Sequence, residues 1–160
     1  EWLGRVDILV NNAARFARDG EIDAARLREV NVAAPLDLAA RVAAQPGGGC
    51  VIHILDNRIA RPAAGPFREY AATKRALADS VAPLAREWAP RTRVNGVAPG
   101  PVLAPEGVRE AAGDLPLGRR PAPEDVARAV AFLAESEAIT GQILYVDGGQ
   151  HLLAGGADHA

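Results

Sequence analysis

Tyr70 and Lys74 stand four residues apart in the run Tyr-Ala-Ala-Thr-Lys, a spacing that puts both side chains on one face if the segment is helical. A phenol of ordinary pKa about 10 is a weak acid at neutral pH, but an ammonium a few ångströms away favours the phenolate and brings the acid strength toward the working range. The chemistry that follows is proton donation. The same spacing also occurs on the solvated face of any amphipathic helix, so the pair acquires meaning only from what surrounds it. No other constellation competes. His53, His151 and His159 have neither the spacing nor the companions of a metal site, so no metal is expected. Cys50 is the one cysteine and lies in the apolar run Cys50-Val51-Ile52, which excludes an internal disulfide and predicts a buried, inert thiol.

The elements that must hold these residues are legible as apolar runs alternating with stretches of helical period, the pattern of βαβ units and a parallel sheet covered on both faces. Strands are predicted at Val6 to Val10, ending in Asn11-Asn12; at Val51 to Leu55, ending in Asp56; at Val94 to Ala98, ending in Pro99-Gly100; and at Ile143 to Val146, ending in Asp147-Gly148-Gly149. In open parallel sheets, ligands bind outside the carboxyl ends of the strands, where these polar and turn residues fall. Helices are predicted from Pro35 to Ala44 and from Phe67 to Ala89, the second carrying Leu77, Val81, Leu84 and Trp88 as a buried stripe. Pro83 removes a hydrogen bond inside that helix and predicts a kink. A further helix should start at Pro123-Glu124-Asp125 and bury Val126, Ala129, Val130 and Leu133. The Pro-, Gly- and Arg-rich segment 102–122 reads as a lid over the strand ends, and Gly47-Gly48-Gly49 as a turn into the second strand.

The 160 residues suit a single domain 1–160, and 49% hydrophobic with 24% charged residues is the balance of a soluble globular protein. A net charge of -2 with scattered basic residues provides no stripe for a phosphate backbone, so nucleic acid is not an expected partner. No apolar run is long enough to span a bilayer and the N-terminal residues are not a leader, so no membrane is expected either, and a cytoplasmic location follows.

Several ordered motifs resemble the short-chain dehydrogenase/reductase family: Asn11-Asn12-Ala13-Ala14 after a strand, Asn31-Val32, Tyr70 with Lys74, the run Arg93 to Gly100, and Thr140-Gly141 with Asp147-Gly148-Gly149. The resemblance implies a Rossmann-like, doubly wound α/β fold of about four parallel strands with flanking helices, and an NADP(H)-dependent rather than NAD(H)-dependent oxidoreductase. By the same resemblance Tyr70 would protonate a C=O or C=N substrate and Lys74 would hold the nicotinamide ribose. Asn31 would support a water-linked proton relay, although a polar residue that bonds backbone is an equal reading of it. Asn12, Ala13 and Ala14 would lie along the cofactor, with Pro99, Gly100 and Val102 near the nicotinamide. A homo-oligomer, tetramer or dimer, with helices Pro35 to Ala44 and Phe67 to Ala89 at an interface, is also implied.

Two departures refine the expectation. Where the family usually has a serine at the end of the second strand, this sequence has Asp56, fourteen residues before Tyr70. An ionised carboxylate only accepts hydrogen bonds, so Asp56 favours a substrate rich in N–H donors. This resembles the pteridine reductase and dihydromonapterin reductase branch, where an aspartate contacts the pterin and an aromatic, here Phe16, stacks on it. Alternatively Asp56 caps the next turn and Phe16 closes the core. The second departure is at the front: the family's strand, Gly-rich turn and helix N-terminus, roughly 70 to 90 residues, would precede Glu1 and carry the NAD/NADP selector. A carbonyl reductase, or a non-catalytic remnant serving as an assembly partner, are the other functions compatible with these residues.

Overall fold

A computed structural model describes residues 4–102 and 115–153. Within them lie strands β1 (Ile8–Asn11), β2 (Gly49–Ile54), β3 (Thr92–Pro99) and β4 (Ile143–Val146), and helices α1 (Ala24–Arg28), α2 (Ala34–Ala43), α3 (Arg68–Trp88) and α4 (Pro123–Glu135). The strands form one sheet in the order β1-β2-β3-β4, every pair parallel. Parallel strands need long crossovers, and the helices between them supply these while covering the faces.

One face is sealed by α2 and α3: Ala39, Val42 and Ala85 pack with Val51 and Val94, and half-buried Leu84 and Trp88 extend the contact. The other face is sealed by α4, whose Leu133 meets Cys50, Ile52 and Val97, with Val126, Ala129 and Val130 alongside. Alternate residues of β2 thus point to opposite helical layers, and both layers are apolar, which is why the strand reads as a continuous hydrophobic run. The sheet is doubly wound, as the alternation of elements predicts.

The run Arg93-Val94-Asn95 has a structural purpose that its sequence does not announce. The Arg93 guanidinium donates to the carbonyls of Leu133, Ala134 and Ile139, terminating α4 where its last carbonyls lack helical partners. Asn95 donates to Ile139 O and accepts from Gln142 N, while the Thr140 hydroxyl oxygen accepts from Val94 N. β3 therefore clamps the α4–β4 connection through the side chains of Arg93 and Asn95 and the backbone N–H of Val94 between them.

Element boundaries shift where side chains take over backbone bonds. β1 begins at Ile8 rather than Val6, because the Val6 N–H is taken by Gln45 Oε1, and it runs on to Asn11. The helix expected from Pro35 continues backward through a π-helical turn, Glu29–Ala33, into α1. α3 runs through Pro83 as a single helix from Arg68 to Trp88. The segment expected to form a lid falls for the most part on residues 103–114, outside the described residues.

β1 is one edge of the sheet, with Ile8 and Val10 exposed on it and Leu38 exposed on the adjoining α2. Among the described residues no helix is long and apolar enough to cross a membrane.

Candidate active site

The carboxyl ends of β1, β2 and β3 lie side by side, and the loops that leave them carry most of the residues singled out by type and spacing. β2 delivers Asp56, which caps a 3-10 turn over Asn57–Ala60 by accepting from Arg58 N at 2.8 Å. The same carboxylate accepts a hydrogen bond from the Tyr70 hydroxyl at 3.0 Å. Capping and meeting the phenol are thus simultaneous rather than alternative roles, because the two oxygens divide them.

Tyr70 and Lys74 occupy one buried face of α3, as the four-residue spacing requires, with the ammonium 5.9 Å from the centre of the Tyr70 ring. Lys74 Nζ donates to Ile54 O at 2.8 Å. The electrostatics of the site run against the expected direction. Burial, then the charge of Asp56 and its hydrogen bond, push the Tyr70 phenol above its usual range, and the cation that opposes them is Arg58. Burial pulls the Lys74 ammonium below its ordinary value while Asp56 holds it up. The reason is geometric: the phenol donates into a carboxylate, which favours keeping the proton on the oxygen.

Asn31 sits in the π-helical turn, a local irregularity frequent at functional sites. Its side chain accepts from Arg15 N, donates to Arg15 O and donates to the Thr73 hydroxyl, which in turn donates to Tyr70 O. This buried residue therefore pins the loop after β1 to α3 next to the tyrosine. Deeper in the sheet, Asn11 Nδ2 donates to both Pro35 O and His53 Nδ1, which leaves the proton of the neutral His53 ring on Nε2. That Nε2 is buried without a partner among the described atoms, and burial, with the Lys74 charge, pushes the His53 pKa down to about 4.

Phe16 does not close the core. It is 57% exposed, stacks on Phe67 at 4.6 Å and 18°, and meets Tyr70 edge-on at 4.8 Å. Arg58 extends over both phenylalanine rings, at 5.6 and 5.5 Å. Phe67 and Arg58 were not singled out by sequence. Phe67 lies three residues before Tyr70 and Arg58 two after Asp56, spacings that could have flagged them as neighbours of the phenol and the carboxylate.

Asn12 and Ala13 line an open cleft of about 430 Å³ beside β1, and Ala14 is exposed after them. Pro99, Gly100 and Val102 leave the end of β3 half-buried. At Gly100 a side chain could not be accommodated, since a Cβ there would fall 2.7 Å from Asp147 Cβ. Asp147 is the hub of the turn after β4, accepting from Gly149 N, His151 N, the His151 ring and Asn57 Nδ2. Burial works against its carboxylate, but these donors, His151 foremost, outweigh it and hold the group below the ordinary carboxylate range. The turn thereby anchors the segment that carries Asp56 and Arg58. No cluster of metal-ligating side chains occurs among the described residues.

A family model described as Enoyl-(Acyl carrier protein) reductase matches residues 1–151. Carbonyl reductase family member 4 of Xenopus tropicalis is 37% identical over 163 residues, an alignment covering 94% of this chain and 69% of that protein. Glucose and ribitol dehydrogenase homolog 2 of Arabidopsis thaliana is 35% identical over 164 residues, covering 92% of this chain and 57% of that protein. Among solved structures, FolM alternative dihydrofolate reductase 1 from Brucella canis, complexed with NADP, superposes with a TM-score of 0.83 at 37% identity. That match covers 97% of this chain and 67% of the Brucella chain. The chain therefore spans between 57 and 69% of the length of these relatives.

Proposed function

Because this chain belongs to the short-chain dehydrogenase/reductase family, we propose that it forms the catalytic portion of an NADP(H)-dependent reductase acting on a flat, N–H-bearing heterocycle of the reduced-pterin type. The observation that carries the reading is the bond between the Tyr70 hydroxyl and the Asp56 carboxylate, set edge-on to the exposed Phe16 ring. A carboxylate at this point repels the carbonyl lone pairs of a ketone and attracts ring N–H donors. The Brucella protein, named as a dihydrofolate reductase and solved with NADP, supports both substrate type and cofactor.

The donor set suits a dinucleotide. Lys74 Nζ has three N–H bonds, and Ile54 O takes one, which leaves donors for ribose hydroxyls. Asn12 to Ala14, with Pro99, Gly100 and Val102, would flank the cofactor. A nicotinamide held there would supply the hydride to the carbon of the C=N bond. Asp56 accepts the substrate's N–H groups, and this relieves the Tyr70 hydroxyl of its resting acceptor. Tyr70 then gives its proton to the ring nitrogen, and the buried Lys74 ammonium balances the phenolate left behind. Asn31 holds the tyrosine's helix against the loop after β1 and supports resupply of the proton through water. The catalytic set is thus Tyr70, Lys74, Asp56 and Asn31, with Phe16 as the stacking face for substrate.

A carbonyl reductase is the second reading, favoured by relatives named carbonyl reductase family member 4 and 3-oxoacyl-(acyl-carrier-protein) reductase. The two part in one experiment: NADPH oxidation with a dihydropterin or with a simple keto substrate, in the parent and in Asp56→Ser. Dihydropterin turnover that falls about 10- to 100-fold in the variant supports the pterin reading. Undiminished turnover overturns it. With this reading goes a cytoplasmic homo-oligomer joined through α2 and α3, whose association light scattering of the purified protein tests.

A further inference from the structure

Arg58 has no role in the scheme above, yet its side chain is the point where the acid and the aromatic wall meet. Its backbone N–H donates to Asp56 Oδ1 at 2.8 Å and its guanidinium to Oδ2 at 3.3 Å. Oδ2 is the oxygen that also accepts the Tyr70 hydroxyl. On its other side the guanidinium carbon sits 5.6 Å from the centre of the Phe16 ring and 5.5 Å from that of Phe67, whose rings stack on each other. The side chain is 31% exposed and that of Asp56 14%, so the ion pair is partly withdrawn from solvent screening.

A planar, delocalised cation can bond a carboxylate through its edge while presenting its face to aromatic rings. A lysine in its place could supply the charge but not both contacts. Arg58 also pulls the Tyr70 phenol down against burial and Asp56. We propose that Arg58 is a positioning residue for substrate reduction: it fixes the Asp56 carboxylate from two sides and braces Phe16 on Phe67 as the face that receives the substrate ring. The inference rests on the reading that the substrate is flat and carries N–H donors. Held this way, Asp56 cannot swing toward solvent when Tyr70 turns to the substrate, and its remaining acceptor capacity stays available to the ring.

The test is steady-state reduction of a dihydropterin by the NADPH-supplied protein in its full natural length, comparing the parent with Arg58→Ala and Arg58→Lys. Arg58→Ala should raise KM about tenfold or more, because stacking and carboxylate geometry are lost together. In Arg58→Lys, kcat should recover more than KM, since charge near the phenol returns but the planar brace does not. A purely structural role would lower the amount of folded enzyme without this split, and Arg58→Lys decides between the two if the alanine variant does not fold. Should either variant keep KM within about twofold of the parent, the inference on Arg58 is overturned while the pterin reading stands. Should the parent itself fail to reduce the dihydropterin, both fall together.

Discussion

At the scale of single residues, the site keeps its proton on the phenol. The Tyr70 hydroxyl donates to a carboxylate and lies buried, so its phenol is a weaker acid than a free tyrosine. Tyr70→Phe should therefore lower kcat by about 10²- to 10⁴-fold while NADPH binding, followed by nucleotide fluorescence, is retained. Asp56→Asn removes the charge and weakens the hydrogen bond that hold the phenol up, so the Tyr70 pKa should fall. Alkaline titration of tyrosinate absorbance in parent and variant checks this; a shift to higher pH would contradict the electrostatic account. The spacing of Tyr70 and Lys74 was sufficient to place both on one face of α3, because helical geometry is local. The direction of the Tyr70 shift was not legible, because it depends on the phenol being buried against the Asp56 carboxylate once β2 and α3 have packed.

At the scale of elements, side chains rather than backbone decide where strands and helices stop. Asn31 bridges the loop after β1 to α3 through three hydrogen bonds while almost wholly buried. Asn31→Ala should cost about 1 to 3 kcal/mol in urea unfolding, from the buried Thr73 hydroxyl and the part-buried Arg15 amide and carbonyl that lose their partner. The same change loosens the loop bearing Phe16, so KM should rise as well. Arg93 is the counterpart on the other face of the sheet, ending α4 with donors to Leu133, Ala134 and Ile139. Arg93→Lys should lower the melting temperature, because one ammonium cannot reach three carbonyls with the geometry of a guanidinium fork. An unchanged melting curve would show that the cap is dispensable. The strands, α3 and α4 were readable from apolar period, since a face buried on a neighbour leaves its pattern in the sequence. The π-helical turn and α1 were not, because their shape follows from Asn31 seeking partners that are distant in sequence.

At the scale of the whole molecule, the sheet buries a histidine where the two helical layers and the active site converge. His53 is kept neutral by burial first and by the Lys74 charge second, with its pKa pushed down to about 4. In the unfolded chain the ring titrates at about 6.5, so between these values the unfolded state binds more protons than the folded one. Its contribution to stability is complete above about pH 6.5 and is lost as the pH falls toward 4, by about 2 kcal/mol between pH 7 and pH 5. Chemical denaturation at the two pH values should show this loss in the parent and a smaller one in His53→Asn. Equal losses would mean that the ring is protonated in the native state. The edge of the sheet matters at this scale too. β1 exposes Ile8 and Val10 beside an open cleft, and the relatives that this chain resembles are longer than it is.

The succession of β1 to β4 with α2, α3 and α4 between them, the two apolar layers, and the placement of Tyr70 and Lys74 on one helical face and of Asp56 at a strand end were all determined by the sequence itself. Each follows from period, turn chemistry or short spacing, which act between neighbours in the chain. Tertiary structure alone decided that Asp56 takes the phenol's hydrogen bond, that Phe67 backs Phe16, and that Arg58 joins the carboxylate to the rings. Those contacts link the loop after β1 with the turn after β2 and the start of α3, the last two fourteen residues apart at Asp56 and Tyr70 and the first far more distant in sequence. Only the packing of the sheet against α2 and α3 brings them within reach of one another.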